Sequence, residues 1–228
     1  MLDVIYEDNH VIVVIKPHNI PTQEDDSKDK DMLTLVKEYI KEKYNKPGNV
    51  YVGLVHRLDR PTGGVMVFTK TSKAAARLTE SIKSGDMSKN YLAVTVGTPK
   101  EKQAKLVNYL KKNEKLNCVN VVPVGTTGAK YAELSYKVLD SNNKVALLDV
   151  NLVTGRSHQI RVQLKHIGNP IYGDVKYGGD MAKGHNLALW AYNLKFTHPT
   201  TKQLMNFKVL PDVTQVPFNA FKQTIQTL

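Results

Sequence analysis

The densest polar stretch of this 228-residue chain is His56-Arg57-Leu58-Asp59-Arg60, which runs into Pro61-Thr62-Gly63-Gly64 and then an apolar segment. One carboxylate, Asp59, stands between two arginines at the mouth of a glycine-bearing turn. Cations on either side favour the ionised form and hold the pKa low, so such a group is a candidate catalytic carboxylate at neutral pH. The plainer alternative is a surface ion-pair cluster on a loop, which contributes little to stability.

A second polar stretch is Thr154-Gly155-Arg156-Ser157-His158-Gln159-Ile160-Arg161. Ser157 is placed to cap a following helix, whose first free amides favour an anion. Arg156 and Arg161 are five positions apart, ~140° around a helix if both are helical, so they should not serve one contact. The alternative is an ordinary capped helix with one buried arginine. Tyr91 follows Lys89-Asn90 and points away from the face shared by Leu92, Val94 and Val96. A tyrosine there could present its ring to a nucleobase, or fill a second core, since sheets covered on both faces are common; taken alone, the core reading is favoured.

Other chemistries lack their residues. The seven histidines form no His-x-x-x-His pair, and the phosphate-cradling Gly-x-x-x-x-Gly-Lys-Ser/Thr loop and the zinc-deaminase signature are absent. Cys118 is the only cysteine, which excludes an intramolecular disulfide and a cysteine-only metal site.

These groups need elements to hold them. Val11 to Ile15 reads as a strand closed by Lys16-Pro17, and residues 22–31 as an exposed polar loop. Leu33, Val36 and Ile40 recur at helical spacing, and Pro47-Gly48 stops that helix. Val65 to Thr69 is a strand; Ser72 can cap a helix with Ala75, Leu78 and Ile82 on its apolar face and Gly85 past its end. Tyr91 to Val96, Tyr131 to Leu139 and Val145 to Val153 are further strands, the last two separated by the turn Ser141-Asn142-Asn143. The lysine-rich residues 100–115 read as an exposed basic insertion, and Ile160, Leu164 and Ile167 line a second amphipathic helix before Gly168. Glycines 173, 178 and 179 read as turn formers. Strands outnumber helices and are not each followed by one, so the fold class expected is α+β rather than doubly wound.

The chain is 41% hydrophobic and 23% charged, which suits a folded protein. Lys and Arg number 32 against 21 Asp and Glu, a net charge of +11, with a pI near 9.5. That excess attracts polyanions, because each phosphate neutralised releases a condensed counterion. There is no secretory pattern and no apolar run approaching the ~20 residues of a membrane helix, so a reducing cytoplasm fits best.

Together these segments resemble the RluA family of pseudouridine synthases. The His56–Asp59 stretch with Pro61-Thr62-Gly63-Gly64 resembles the family's catalytic-aspartate motif. Lys89-Asn90-Tyr91-Leu92-Ala93-Val94 resembles its tyrosine segment, and Thr154 to Arg161, continuing through Gly168-Asn169-Pro170-Ile171-Tyr172-Gly173-Asp174, its third motif. Val11–Pro17 and Leu187–Pro199 also have counterparts, so the likeness runs from about residue 3 to residue 210 in one order.

The resemblance implies a mixed, largely antiparallel sheet in two lobes with flanking helices and a catalytic cleft. It implies a single catalytic domain over residues 1–228, without the small N-terminal RNA-binding domain many relatives carry. Asp59 would attack or deprotonate the nucleoside, Tyr91 would stack on uracil, and Arg156 would pair with Asp59. Arg57 would fill the space left by the extruded base, with Arg60, Arg161, Lys111 and Lys112 as further RNA contacts. The reaction breaks an N-glycosidic bond and rejoins the same uracil through a ring carbon. Nothing is oxidised and no group is supplied, so no cofactor or metal is expected. Structured RNA, ribosomal or transfer, is the expected partner, and a monomer the expected state. The rival reading is a catalytically silent RNA-binding or RNA-folding protein on the same scaffold. The chain departs from the family pattern at His18-Asn19, Gly63, Gln163 and Trp190, none of them among the four residues expected at the reacting base.

Overall fold

A computed structural model describes residues 2–178 and 184–228; Gly179 lies outside them. In chain order the strands are β1 (Asp3–Glu7), β2 (Val11–Lys16), β3 (Gly53–Leu54), β4 (Gly63–Thr69), β5 (Ser88–Val96), β6 (Gln103–Asn113), β7 (Cys118–Val122), β8 (Lys130–Ser141), β9 (Val145–Leu152), β10 (Leu189–Thr197) and β11 (Leu204–Lys208). The helices are α1 (Met32–Lys43), α2 (Ser72–Lys83), α3 (Gln159–His166) and the short C-terminal α4 (Lys222–Gln226). The fold is α+β with largely antiparallel pairing, as the surplus of strands predicts. Among the described residues, no helix is long and apolar enough to cross a membrane.

The chain divides into two compact units, Met1–Ser88 with Asn193–Val209, and Lys89–Tyr192 with Leu210–Leu228. In the first unit β2 lies antiparallel between β1 and β4. The β-branched run Val11–Val14 is wholly buried. Val11, Val13, Val65 and Val67 pack with Leu78 of α2 and with Phe196. The register sets Lys16, the last residue of β2, opposite Gly64 of β4. The end of one strand is thereby brought beside the loop that feeds the other. Helix α2 begins one residue earlier than its composition suggests: Thr71, not Ser72, is the cap, its hydroxyl accepting from the Ala74 amide at 3.2 Å. Gly53 has no room for a side chain, since a Cβ there would stand 2.3 Å from the Thr69 hydroxyl and 3.0 Å from the Ala75 methyl.

The second unit holds the antiparallel run β5, β9, β8, β6, β7. Residues 100–115, expected as an exposed basic insertion, are therefore mostly a strand, exposed along much of its length. Leu106 and Leu110 alternate with Lys105, Val107, Tyr109 and Lys111, and this period of two makes β6 a strand with one sheltered face. Val162 of α3 packs on that face against Leu110, Val119 and Ala132.

Candidate active site

Asp59 sits on the loop between β3 and β4, half-buried, beside exposed Arg57 and buried Leu58. What distinguishes this loop is how its backbone is held. The carbonyl of Leu58 accepts from the Thr22 hydroxyl at 2.8 Å, and that of Asp59 from the Thr62 amide at 2.9 Å. Those of Arg60 and Thr62 accept from the Lys16 ammonium at 2.8 and 2.7 Å. The Pro61 carbonyl lies 2.7 Å from Nδ1 of His18, which must be the protonated nitrogen because a carbonyl only accepts. Carbonyls 58 to 62 are thus all satisfied, four of them by side chains of residues 16–22.

Lys16 is fully buried. Burial pushes its ammonium pKa down to about 7, the negative charge of Asp59 pulls it back up and Arg60 pushes it down again. From the sequence alone Lys16 reads as the end of a strand. The only signal was a lysine continuing an unbroken β-branched run, where a side chain should be buried. His18, a departure from the family pattern, is likewise used to hold the loop.

Lys16→Met should lower turnover at least ~10-fold, since small misplacements of a reacting group are costly. Stability should fall by only about 1–2 kcal/mol, because lost charge-assisted bonds are offset by relief of a desolvated charge. The sign with pH follows from the depressed pKa of about 7. From there up to the ordinary lysine value of ~10.4 the unfolded chain binds a proton that the folded chain does not. Wild-type stability relative to Lys16→Met therefore rises through that window, and thermal melting at pH 7 and pH 9.5 checks it.

Arg60 turns to the 22–31 loop, donating to Asp25 at 3.3 Å, to Ser27 at 2.7 Å and to Asp29. Its guanidinium is held by two carboxylates.

In the second unit, Arg156 is exposed and its Nε donates to the Tyr131 carbonyl at 2.8 Å. Ser157 is not the helix cap. His158 occupies that position in the left-handed region, φ +53°, with no side-chain cap, and Arg156 precedes the helix rather than belonging to it. Buried Gln159 organises the turn instead. Its Oε1 accepts from the Thr154 hydroxyl at 2.8 Å and the Arg156 amide at 3.0 Å, and its Nε2 donates to the Glu133 carbonyl at 3.0 Å. A glutamine three residues after the arginine was the overlooked sign.

Tyr91 is only 5% exposed, opposite Val150 of β9, on a strand buried on both faces from Tyr91 to Thr95. Arg161, expected among the RNA contacts, is a correction. It is 5% exposed and donates from Nε and Nη2 to the two oxygens of Asp174, each at 2.8 Å. A guanidinium so enclosed is not free to meet a phosphate at the surface. Gln163 is also interior, donating to the Leu106 carbonyl and to Asn108. Lys111 and Lys112 are exposed, but as strand neighbours they point to opposite faces, and Lys112 is paired with Glu114 at 2.6 Å. Among the described residues no group of His, Cys, Asp and Glu is placed to hold a metal ion.

The fold aligns with a human RNA pseudouridylate synthase domain-containing protein (number 4) at TM-score 0.78 and 22% identity, over 98% of this chain and 93% of that one. The family model described as RNA pseudouridylate synthase matches residues 10–166. An uncharacterized RNA pseudouridine synthase of Bacillus subtilis, YhcT, is 31% identical over 222 residues, 96% of this chain and 69% of that protein. Ribosomal large subunit pseudouridine synthase D of Vibrio cholerae is 31% identical over 227 residues, 92% of this chain and 68% of that one. Synthase C of Vibrio vulnificus is 31% identical over 210 residues, 89% and 63% respectively. The chain belongs to the RNA pseudouridylate synthase family, whose members are isomerases, and it spans about two thirds of the length of these relatives.

Proposed function

We propose that this chain isomerises particular uridines of structured RNA, ribosomal or transfer, to pseudouridine, as a cytoplasmic monomer using no cofactor or metal. The supporting observation is the Asp59 loop, whose carbonyls from Leu58 to Thr62 are all engaged. A rigid backbone presenting one carboxylate suits a reaction in which the same base leaves and returns. Asp59 attacks the nucleoside or removes a ribose proton. A hydrolytic glycosidase would need a second carboxylate to activate water; here the freed uracil stays trapped and rotates.

Arg57, exposed beside Asp59, fills the gap left by the flipped base, and Arg156 pairs with Asp59. Tyr91 stacks on uracil once the groups covering its ring give way. Flipping costs a few kcal/mol and least in loops, offset by phosphate contacts. Arg60 joins these contacts only by exchanging its two carboxylates for phosphate. Lys111 and Lys112 supply others, and neutralising both should flatten the slope of log K against log salt by up to about two. An unchanged slope removes them from the interface.

The test of function is pseudouridine mapping of total RNA from cells with and without this gene, by selective chemical labelling and sequencing. Loss of signal at one or a few uridines is expected, and names the substrate. An unchanged map, with no product from the purified protein on candidate transcripts, refutes the proposal.

A further inference from the structure

Lys89 is the second residue of β5, two residues before Tyr91, so the two side chains share one face of the strand. Its ammonium lies 3.6 Å from where a Cβ on Gly155 would stand, against the backbone of the residue preceding Arg156. It is half-buried, and burial alone pushes its pKa down, with no carboxylate or hydrogen bond acting on it. The contrast with other sheltered cations is plain. Lys16 has its carbonyls, Lys70 has Glu7 at 2.5 Å, and Arg161 has Asp174. Among the described residues Lys89 has no such partner. A partly desolvated ammonium facing no carboxylate is costly to the free protein, and an anion arriving at its open side would offset that cost.

We infer that Lys89 is a substrate-binding residue that holds the phosphodiester of the target nucleotide, a role resting on the RNA-modifying reading above. Residues i and i+2 of a strand are ~6.5–7 Å apart, comparable to the reach from a nucleobase to its own phosphate. A uracil on the Tyr91 ring therefore leaves its phosphate within range of Lys89. The family is named for its action on RNA, whose fixed charge is its phosphate. The base itself offers only neutral carbonyl oxygens to this ammonium.

The test measures binding and stability together, on full-length protein with a hairpin RNA bearing the mapped uridine. Lys89→Met should weaken binding ~10-fold or more and reduce the salt slope by about one. Product formation at saturating RNA should change much less. The same substitution should leave the melting temperature unchanged or raise it, because a partly desolvated charge is removed; Lys89→Arg should keep most of the affinity. A hairpin with a neutral methylphosphonate at the target nucleotide should bind wild type ~10-fold more weakly, and bind Lys89→Met no worse than the natural hairpin does. Equal methylphosphonate penalties in both proteins, or wild-type affinity and salt slope in a folded Lys89→Met, would overturn the assignment. Binding to bulk ribosomal RNA gives the same reading for Lys89 even if the mapping finds no product, so failure of the activity and failure of this contact are separable.

Discussion

Asp59→Asn should abolish turnover, lowering kcat by roughly 10⁴ or more, about 5.5 kcal/mol of transition-state stabilisation, while changing RNA affinity less than ~3-fold. Both chemical routes need the ionised carboxylate, as nucleophile or as base, and an amide can serve as neither. The substitution is nearly isosteric, and the backbone carbonyls from Leu58 to Thr62 are each held by a hydrogen bond of their own. The loop should therefore keep its shape. One electrostatic change is expected, since Asp59 pulls the Lys16 pKa upward; its removal lets Lys16 lose its proton at lower pH. Single-turnover kinetics and filter binding on the mapped RNA decide the matter. Turnover within tenfold of wild type would remove Asp59 from the chemistry, and a parallel collapse of binding would make its role structural. RNA affinity that survives Asp59→Ala, with no product from the wild type either, would favour the silent RNA-binding scaffold.

Much of this architecture is legible in the chain because it is written in local pattern. The β-branched run at Val11, the helical spacing of Leu33, Val36 and Ile40, and the alternation after Tyr91 each depend on near neighbours. What escaped is what depends on distant register. Lys16 reads as a strand end until β2 is paired with β4, and only then does it lie under the carbonyls of a loop more than forty residues on. Arg161 reads either as an RNA contact or as one buried arginine of a capped helix until Asp174, thirteen residues away, is found against it. Ser157 has the right chemistry for a cap, yet the left-handed His158 and the reach of Gln159 settle the turn differently. The lysines of residues 100–115 masked an ordinary strand, because their number outweighed the alternation beneath them.

The buried pair in the second unit carries the largest expected effect on stability. Asp174→Ala should destabilise the protein by about 3–5 kcal/mol, since it removes the carboxylate that faces both nitrogens of a guanidinium sheltered from water. Asp174 has no exposed side-chain surface in its pairing with Arg161. Its Oδ1 also accepts from the Lys176 and Tyr177 amides, each at 3.1 Å. Arg161 in turn lies over the Tyr177 ring, 5.0 Å from its centroid. The Tyr177 hydroxyl accepts from the Val119 amide at 2.8 Å and sits 2.7 Å from Nδ1 of His158, the residue at the start of α3. Loss of Asp174 should therefore loosen the turn that presents Arg156 as well as the fold, so kcat should drop in the fraction that remains folded. Replacing both partners with apolar groups, Arg161→Met with Asp174→Leu, removes both buried charges and should recover most of the lost stability. Urea unfolding of the two single variants and the double one measures this coupling. If the double variant is as unstable as the sum of the singles, the penalty lies in lost packing and not in an uncompensated charge.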